Sequence, residues 1–403
     1  VTENGSVLFA NNDGLLQFNG IDWSLFPLPN KSICRSLAIA SSNKIYVGGQ
    51  DEVGYFLLNE PGELNFIDIK SRIPSKYRNL SDVWDIEVID RTVFFRSNDK
   101  IFIDNGSDSI KCISEFSSIT SLSKVNDEIY FFVLNKGLYK LDSLNAPELV
   151  VSIPKDSVLN ITCVLKLQDE SLLLGTLKNG LYKYNRKGVL TILEKDYQSF
   201  LKENRIIDLI SHNDNAIIAT ERNGVLILTQ ELEGLFHINK KSGLLNNSVN
   251  CLSIDQSGAL WTGTSNGINQ ILISNGIQHF YPDGESQGSV YDIIEYDDKL
   301  FFGTSNGLYY IENQNYYNPI EERKFTLVEN SLGQVWGLDI IDDQLFMGHN
   351  EGAFIVSDNR AIKISPANGA WKFIPLKENY MLVGTYFGLD LYEKNAGSYT
   401  FKQ

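Results

Sequence analysis

The amino-acid sequence predicts an all-β fold: a β-propeller of four-stranded antiparallel blades, about ten repeats long, forming a seven-bladed ring plus part of a second ring. Three observations predict it. A Gly-Thr-x-x-Gly-like turn recurs along the chain, the flanking segments are rich in β-branched and aromatic residues, and helix signals are almost absent.

The clearest copies of the repeat are VNCLSIDQSGALWTGTSNGINQI from Val249, VYDIIEYDDKLFFGTSNGLYYI from Val290 and VWGLDIIDDQLFMGHNEGAFIV from Val335. Two more start at Ile161 and Ile206, weaker ones at Cys34, Val83 and Ile119, and the last at Ala370. The chain opens inside a further copy, VLFANNDGLLQFNG, whose first strand belongs before Val7. The glycine closing the turn falls at Gly14, Gly54, Gly137, Gly180, Gly224, Gly267, Gly307, Gly352 and Gly388, with Lys100 in its place in the third copy. The spacing runs from 36 residues (Gly352 to Gly388) to 46 (Gly54 to Lys100), the period of a propeller blade.

Each copy reads as a blade. Val290 to Tyr296 forms a first strand, Asp297-Asp298 a turn, and Leu300-Phe301-Phe302 a second strand. A Ser-Asn-Gly turn leads to a third strand, Leu308 to Ile311, because glycine tolerates the positive φ of a tight hairpin. A variable fourth strand follows, for example Lys324 to Val328. Unbroken apolar runs such as Leu172-Leu173-Leu174 require burial on both faces, as between two neighbouring blades. The one segment with helical character is Asp196 to Glu203. Since rings usually hold four to eight blades, residues 1–288 are assigned to a first, seven-bladed propeller and 289–403 to the start of a second. Val1 starts in mid-blade, and Gln403 falls just after the last fourth strand, so the native protein is expected to extend further.

Composition excludes several functions. A net charge of −15 repels the phosphate backbone that nucleic-acid binders neutralise, and an anionic membrane surface likewise. No run approaches the ~18 apolar residues of a membrane span. Cys34, Cys112, Cys163 and Cys251 lack zinc spacing and read as free, buried small hydrophobes. His212, His237, His279 and His349 lie in different repeats, so no metal site is expected. The pairs Asp297-Asp298 and Asp342-Asp343 recur at one place in the repeat and read as turns rather than a glycosidase couple. Nucleophile-elbow, dinucleotide and P-loop motifs are missing, so no catalytic residue and no cofactor is expected.

The copy from Val249 resembles the regulator-propeller repeat of Bacteroidetes sensors, V-x-x-I-x-x-D-x-x-G-x-L-W-x-G-T-x-x-G-L, matched at Val249, Asp255, Gly258, Leu260, Trp261, Gly263, Thr264 and Gly267. Repeats two to four depart from it, with Arg96 and Phe132 near the place of the Gly-Thr glycine. The family divides into hybrid two-component sensors of polysaccharide-utilisation loci and LuxR-type helix-turn-helix regulators. The opening FANNDGLLQFNGIDWSLFPLPN is more similar to the second branch. The resemblance implies a periplasmic ectodomain of an inner-membrane protein, with paired propellers ahead of a triple-tyrosine domain, a membrane span and cytoplasmic output modules. It brings no catalytic residues with it.

One pattern suggests a binding site. The second residue of the first strand is aromatic in four repeats: Trp84, Tyr291, Trp336 and Trp371. In a propeller this strand lines the axis, so these rings are placed to stack on a sugar while Asp85 and Asp292 bond its hydroxyls. Packing between blades explains the same aromatics equally. The expectation is a ligand-binding sensor domain, with a small-molecule or oligosaccharide ligand and a possible homodimer as partners. The alternatives are a propeller lyase or a protein-binding scaffold. A ligand is expected at a channel mouth and not on the outer strands, whose charge runs such as Glu321 to Lys324 read as solvated.

Overall fold

The computed structural model describes residues 1–2, 4–41, 43–58, 64–154, 158–273, 282, 288–312, 325–377, 379–395 and 397–403. Their strands form ten antiparallel sheets, in each of which sequence neighbours are hydrogen-bonded neighbours; eight are four-stranded and two, at residues 7–26 and 249–271, three-stranded. The chain divides into two compact units, Val1–Gly276 with seven sheets and Ile277–Gln403 with three. We number these blades 1 to 10. The protein is therefore a β-propeller.

Local chemistry explains the turns. Asp297 and Asp298, and likewise Asp342 and Asp343, both take positive φ, as a tight hairpin joining first and second strands requires. In the Gly-Thr turn, Thr220 Oγ1 donates to the Gly224 carbonyl at 2.9 Å and accepts the Asn223 N–H at 3.0 Å, fixing the loop from inside. Gly224 has φ +73, and a Cβ there would overlap the Ile238 carbonyl oxygen of the fourth strand, so both conformation and space demand glycine.

The other glycine of the motif serves packing between blades. A Cβ at Gly303 would lie 2.9 Å from Cγ1 of Val335, the first residue of the next inner strand. Phe301, Leu308 and Tyr310 of blade 8 then close on Val335, Leu338 and Met347 of blade 9. Where the motif departs, the contact changes. Arg96, buried in the glycine's place, pairs with Asp85 and donates from Nη1 to the Ile119 carbonyl of blade 4 at 2.8 Å. Phe132 is fully buried at the same register in blade 4.

Blades 1 and 7 meet through aromatic side chains: Trp261 lies 6.2 Å from Phe9 and 5.9 Å from Phe18, and Phe18 stacks on Trp23 at 4.7 Å. Trp261 is held by Asp255, whose Oδ2 accepts the indole N–H at 2.8 Å. Burial works against the Asp255 charge, but this bond and those from Ser257 and Ala259 outweigh it and bring the carboxyl down to about 2.

As expected of a chain that opens in mid-blade, no strand precedes Val7 among the described residues, and blade 1 consists of what are second to fourth strands elsewhere. Other details differ from the sequence expectation. The helix spans Gln198–Asn204, two residues later than expected at its start, with Leu201 buried. The fourth strand of blade 8 is only Thr326–Leu327; Lys324 and the charge run Glu321 to Lys324 lie outside the described residues, as does His279. The four cysteines are free, but Cys112 is half-buried and Cys251 exposed: Cys163 is buried at the same register of blade 5, whereas Cys251 of blade 7 borders blade 1, which has no described innermost strand.

Candidate functional site

The site is built by a recurrent backbone feature. In blades 2 and 4 to 10 the innermost strand begins with a β-bulge: Val290 pairs with Thr304 and Asp292 with Gly303, leaving Tyr291 unpaired between them. The same shift leaves out Trp336 between Val335 and Gly337, and Trp371 between Ala370 and Lys372. A bulged residue is released from the alternation of the strand and can point its side chain out of the sheet. The bulged residues of neighbouring blades then meet.

In the second unit they form an aromatic row. Tyr291 lies 4.9 Å from Trp336, Trp336 is stacked on Trp371 at 5.3 Å with planes 9° apart, and Trp371 meets Tyr386 edge to face at 5.7 Å. Trp336 Nε1 donates to the Tyr386 hydroxyl at 3.2 Å, from blade 9 to blade 10. Tyr291, Trp371 and Tyr386 are exposed. Sequence reasoning missed Tyr386. Its signal is legible in retrospect: the turn of repeat ten reads Gly-Thr-Tyr-Phe-Gly where repeats seven and eight have Gly-Thr-Ser-Asn-Gly.

Trp84 and Asp85 belong to the first unit. Trp84 is exposed on one side, with the Arg35 guanidinium 4.7 Å from its ring centroid on the other, and Arg35 Nε pairs with Asp82 at 2.9 Å. This is a cation–π contact between blades 2 and 3.

The predicted carboxylates are already engaged. Asp292 Oδ2 accepts the Leu338 N–H of blade 9 at 2.7 Å, and its Oδ1 the Ile293 N–H at 2.9 Å. Asp85 accepts the Leu122 N–H of blade 4 at 3.1 Å beside its ion pair with Arg96. Asp208 does the same toward Leu252 of blade 7 at 2.8 Å, and Asp339 toward Phe373 of blade 10 at 3.2 Å. These side chains fasten innermost strands to one another. Burial raises the Asp208 carboxyl above its ordinary range against the pull of its two backbone donors, and pushes Glu87 up to about 7.

The histidines do not all fall in different repeats as expected: His212 and His237 share blade 6, on its first and fourth strands, and His349 lies in blade 9; no group of three or more His, Cys, Asp or Glu could hold a metal ion among the described residues. No helix among the described residues is long and apolar enough to cross a membrane.

Comparison with known proteins adds a family repeat and a fold. Residues 243–266 match the two component regulator propeller family. The fold matches the extracellular domain of BT4673 of B. thetaiotaomicron, named for a hybrid two component system in one structure and for a one component system in another. The TM-scores are 0.55 and 0.51, each at 15% identity over all of this chain and 58% of that one. A chain of the mitotic checkpoint complex also matches, with a TM-score of 0.53 at 12% identity over 67% of this chain and 86% of that one. No curated protein matches in sequence. The present chain thus spans 58% of the BT4673 domain. Two such different proteins on one fold show that the architecture alone carries no activity. Over residues 243–266 the sequence adds what the fold does not: the chain is a β-propeller bearing the two component regulator propeller repeat, similar in fold to the extracellular domain of such a system.

Proposed function

We propose that this chain is the ligand-sensing segment of a transmembrane signalling protein, that it works in the periplasm, and that a neutral carbohydrate docks on the aromatic row of its second unit. The observation that carries the reading is the regulator-propeller repeat at 243–266, set on a fold shared with an extracellular domain. The aromatic row supports the site, since four rings from three blades converge where a propeller's innermost strands begin. The charge of −15 supports an uncharged ligand, because an anionic glycan meets net repulsion. We further assign residues 1–288 to a first propeller and 289–403 to the opening of a second, supported by the division of the chain near Gly276.

The test is calorimetric titration of the purified chain with neutral linear oligosaccharides, namely cellohexaose, maltohexaose, xylohexaose and mannohexaose. Saturable binding that Trp371→Ala weakens by about 1 to 3 kcal/mol, the scale of stacking on an aromatic ring, supports the reading. Saturable binding left unchanged by Trp371→Ala removes the row from the site, and the absence of binding to all four overturns the carbohydrate assignment.

A further inference from the structure

One turn beside the aromatic row departs from the motif. Blade 9 reads Gly-His-Asn-Glu-Gly, with His349 at the register where blades 5 to 8 and 10 carry Thr176, Thr220, Thr264, Thr304 and Thr385. In each of those blades the threonine Oγ1 accepts an N–H of the turn, as from Asn306 to Thr304 at 3.1 Å. His349 takes over that task, its Nδ1 accepting the Glu351 N–H at 3.2 Å. The ring is fully buried, edge to face with Phe354 at 5.3 Å, and a Cβ at Gly333 would lie 2.7 Å from its Nε2. An acceptor at Nδ1 puts the proton of the neutral imidazole on Nε2, which lies toward the Leu332 carbonyl without closing a hydrogen bond.

A second proton can go only to Nδ1. Two N–H groups would then face each other in the turn, so the imidazolium cannot keep the bond that a threonine, which does not titrate, keeps at any pH. The charged groups acting on His349 are the Glu351 carboxylate, which favours the imidazolium, and Lys363 of the fourth strand, which opposes it. The adjoining segments 305–308, 330–334 and 365–370 carry no ionisable side chain. Burial outweighs the favourable contributions and holds the imidazole below its ordinary value near 6.5.

The same turn is bonded to the supports of the aromatic row. The Asn350 N–H donates to the Gln334 carbonyl at 2.9 Å, and Asn350 Oδ1 accepts the Gln334 N–H at 3.1 Å, two residues before Trp336. The Asn350 carbonyl accepts the Gly369 N–H at 2.9 Å, two residues before Trp371. Gly369 in turn lies against the Tyr386 ring, which any Cβ there would overlap. One hairpin thus fastens the starts of both tryptophan strands.

We propose that His349 is a proton switch on the candidate ligand site: a proton taken up at Nδ1 releases the Glu351 N–H, loosens the turn and frees the Asn350 bonds that hold the starts of the Trp336 and Trp371 strands. This rests on the aromatic row being the site, as read above, and supplies its regulation. The direction follows from linkage. The opened turn takes up the proton more readily than the closed one, so the turn is most secure above about pH 6.5 and loosens as pH falls below that value.

The experiment follows backbone hydrogen exchange of the whole chain at Gln334, Glu351 and Gly369, in wild type and His349→Thr, between about pH 7.5 and pH 5, corrected for the intrinsic pH dependence of exchange. Threonine keeps the acceptor of the turn and removes the titration. Wild type should lose roughly tenfold or more in protection at all three amides on acidification, and His349→Thr less than about threefold. No loss in wild type, an equal loss in His349→Thr, or a loss confined to Glu351 would each overturn the switch. No glycan enters the measurement, so a failed hexaose titration removes the carbohydrate reading and leaves this result standing, and a failed switch leaves the titration untouched.

Discussion

Trp336 and Trp371, bulged residues of adjacent blades, lie face to face with their planes 9° apart and centroids 5.3 Å from each other. Each side chain shields one face of the other, so the pair works first as a clamp between blades 9 and 10. Trp336→Ala should lower the unfolding free energy by about 1 to 2 kcal/mol, combining the pair interaction with part of the buried ring area. Denaturant unfolding of the second unit, followed by the remaining tryptophan emission, measures it. A change below about 0.3 kcal/mol would mean the stack is incidental.

Asp208 links two blades of the first unit through the Leu252 N–H at 2.8 Å, and also accepts the Leu209 N–H at 2.8 Å. Asp208→Ala strands both donors without a partner. We expect a loss of about 1 to 3 kcal/mol and faster hydrogen exchange at Leu252. Unaltered exchange there would contradict the assigned role.

Glu87 gives a pH signature of definite sign. Burial pushes its carboxyl up to about 7, despite the Lys124 N–H that bonds the charged form. In the unfolded chain it titrates near about 4.3, so between these values the folded protein keeps a proton the unfolded one has lost. Stability should therefore be highest below that window and decline as pH rises through 7, by about 1 to 2 kcal/mol after allowance for the water that reaches a half-buried side chain. Thermal melts from pH 4.5 to 8 check this, with Glu87→Gln expected to flatten the profile. Parallel profiles for the two proteins would refute it.

The fold was legible because one turn repeats. Thr220 and Gly224 need each other chemically, so the motif marks the hairpin between second and third strands in repeats five to eight and ten, and the spacing of the glycines carries the rest. The aromatic row was legible in part: Tyr291, Trp336 and Trp371 occupy one register in consecutive repeats, and the structure brings them together. The bulge that releases them was not, because it depends on the pairing partner across the strand and leaves no residue signature. The task of Asp85 and Asp292 was also hidden. Their acceptors face an amide of the next blade, more than 35 residues away, which no local pattern reports.

The seam between blades 1 and 7 gives the chain an internal optical gauge. Of its five tryptophans, Trp23 and Trp261 sit at that seam, and Trp84, Trp336 and Trp371 at the starts of innermost strands. No described strand is shared across the seam, so its integrity depends on side chains alone, and those side chains are themselves chromophores. Emission from one pair registers whether the circle is shut, while emission from the other three registers what touches the rims, and single Trp→Phe replacements would let the two signals be read apart.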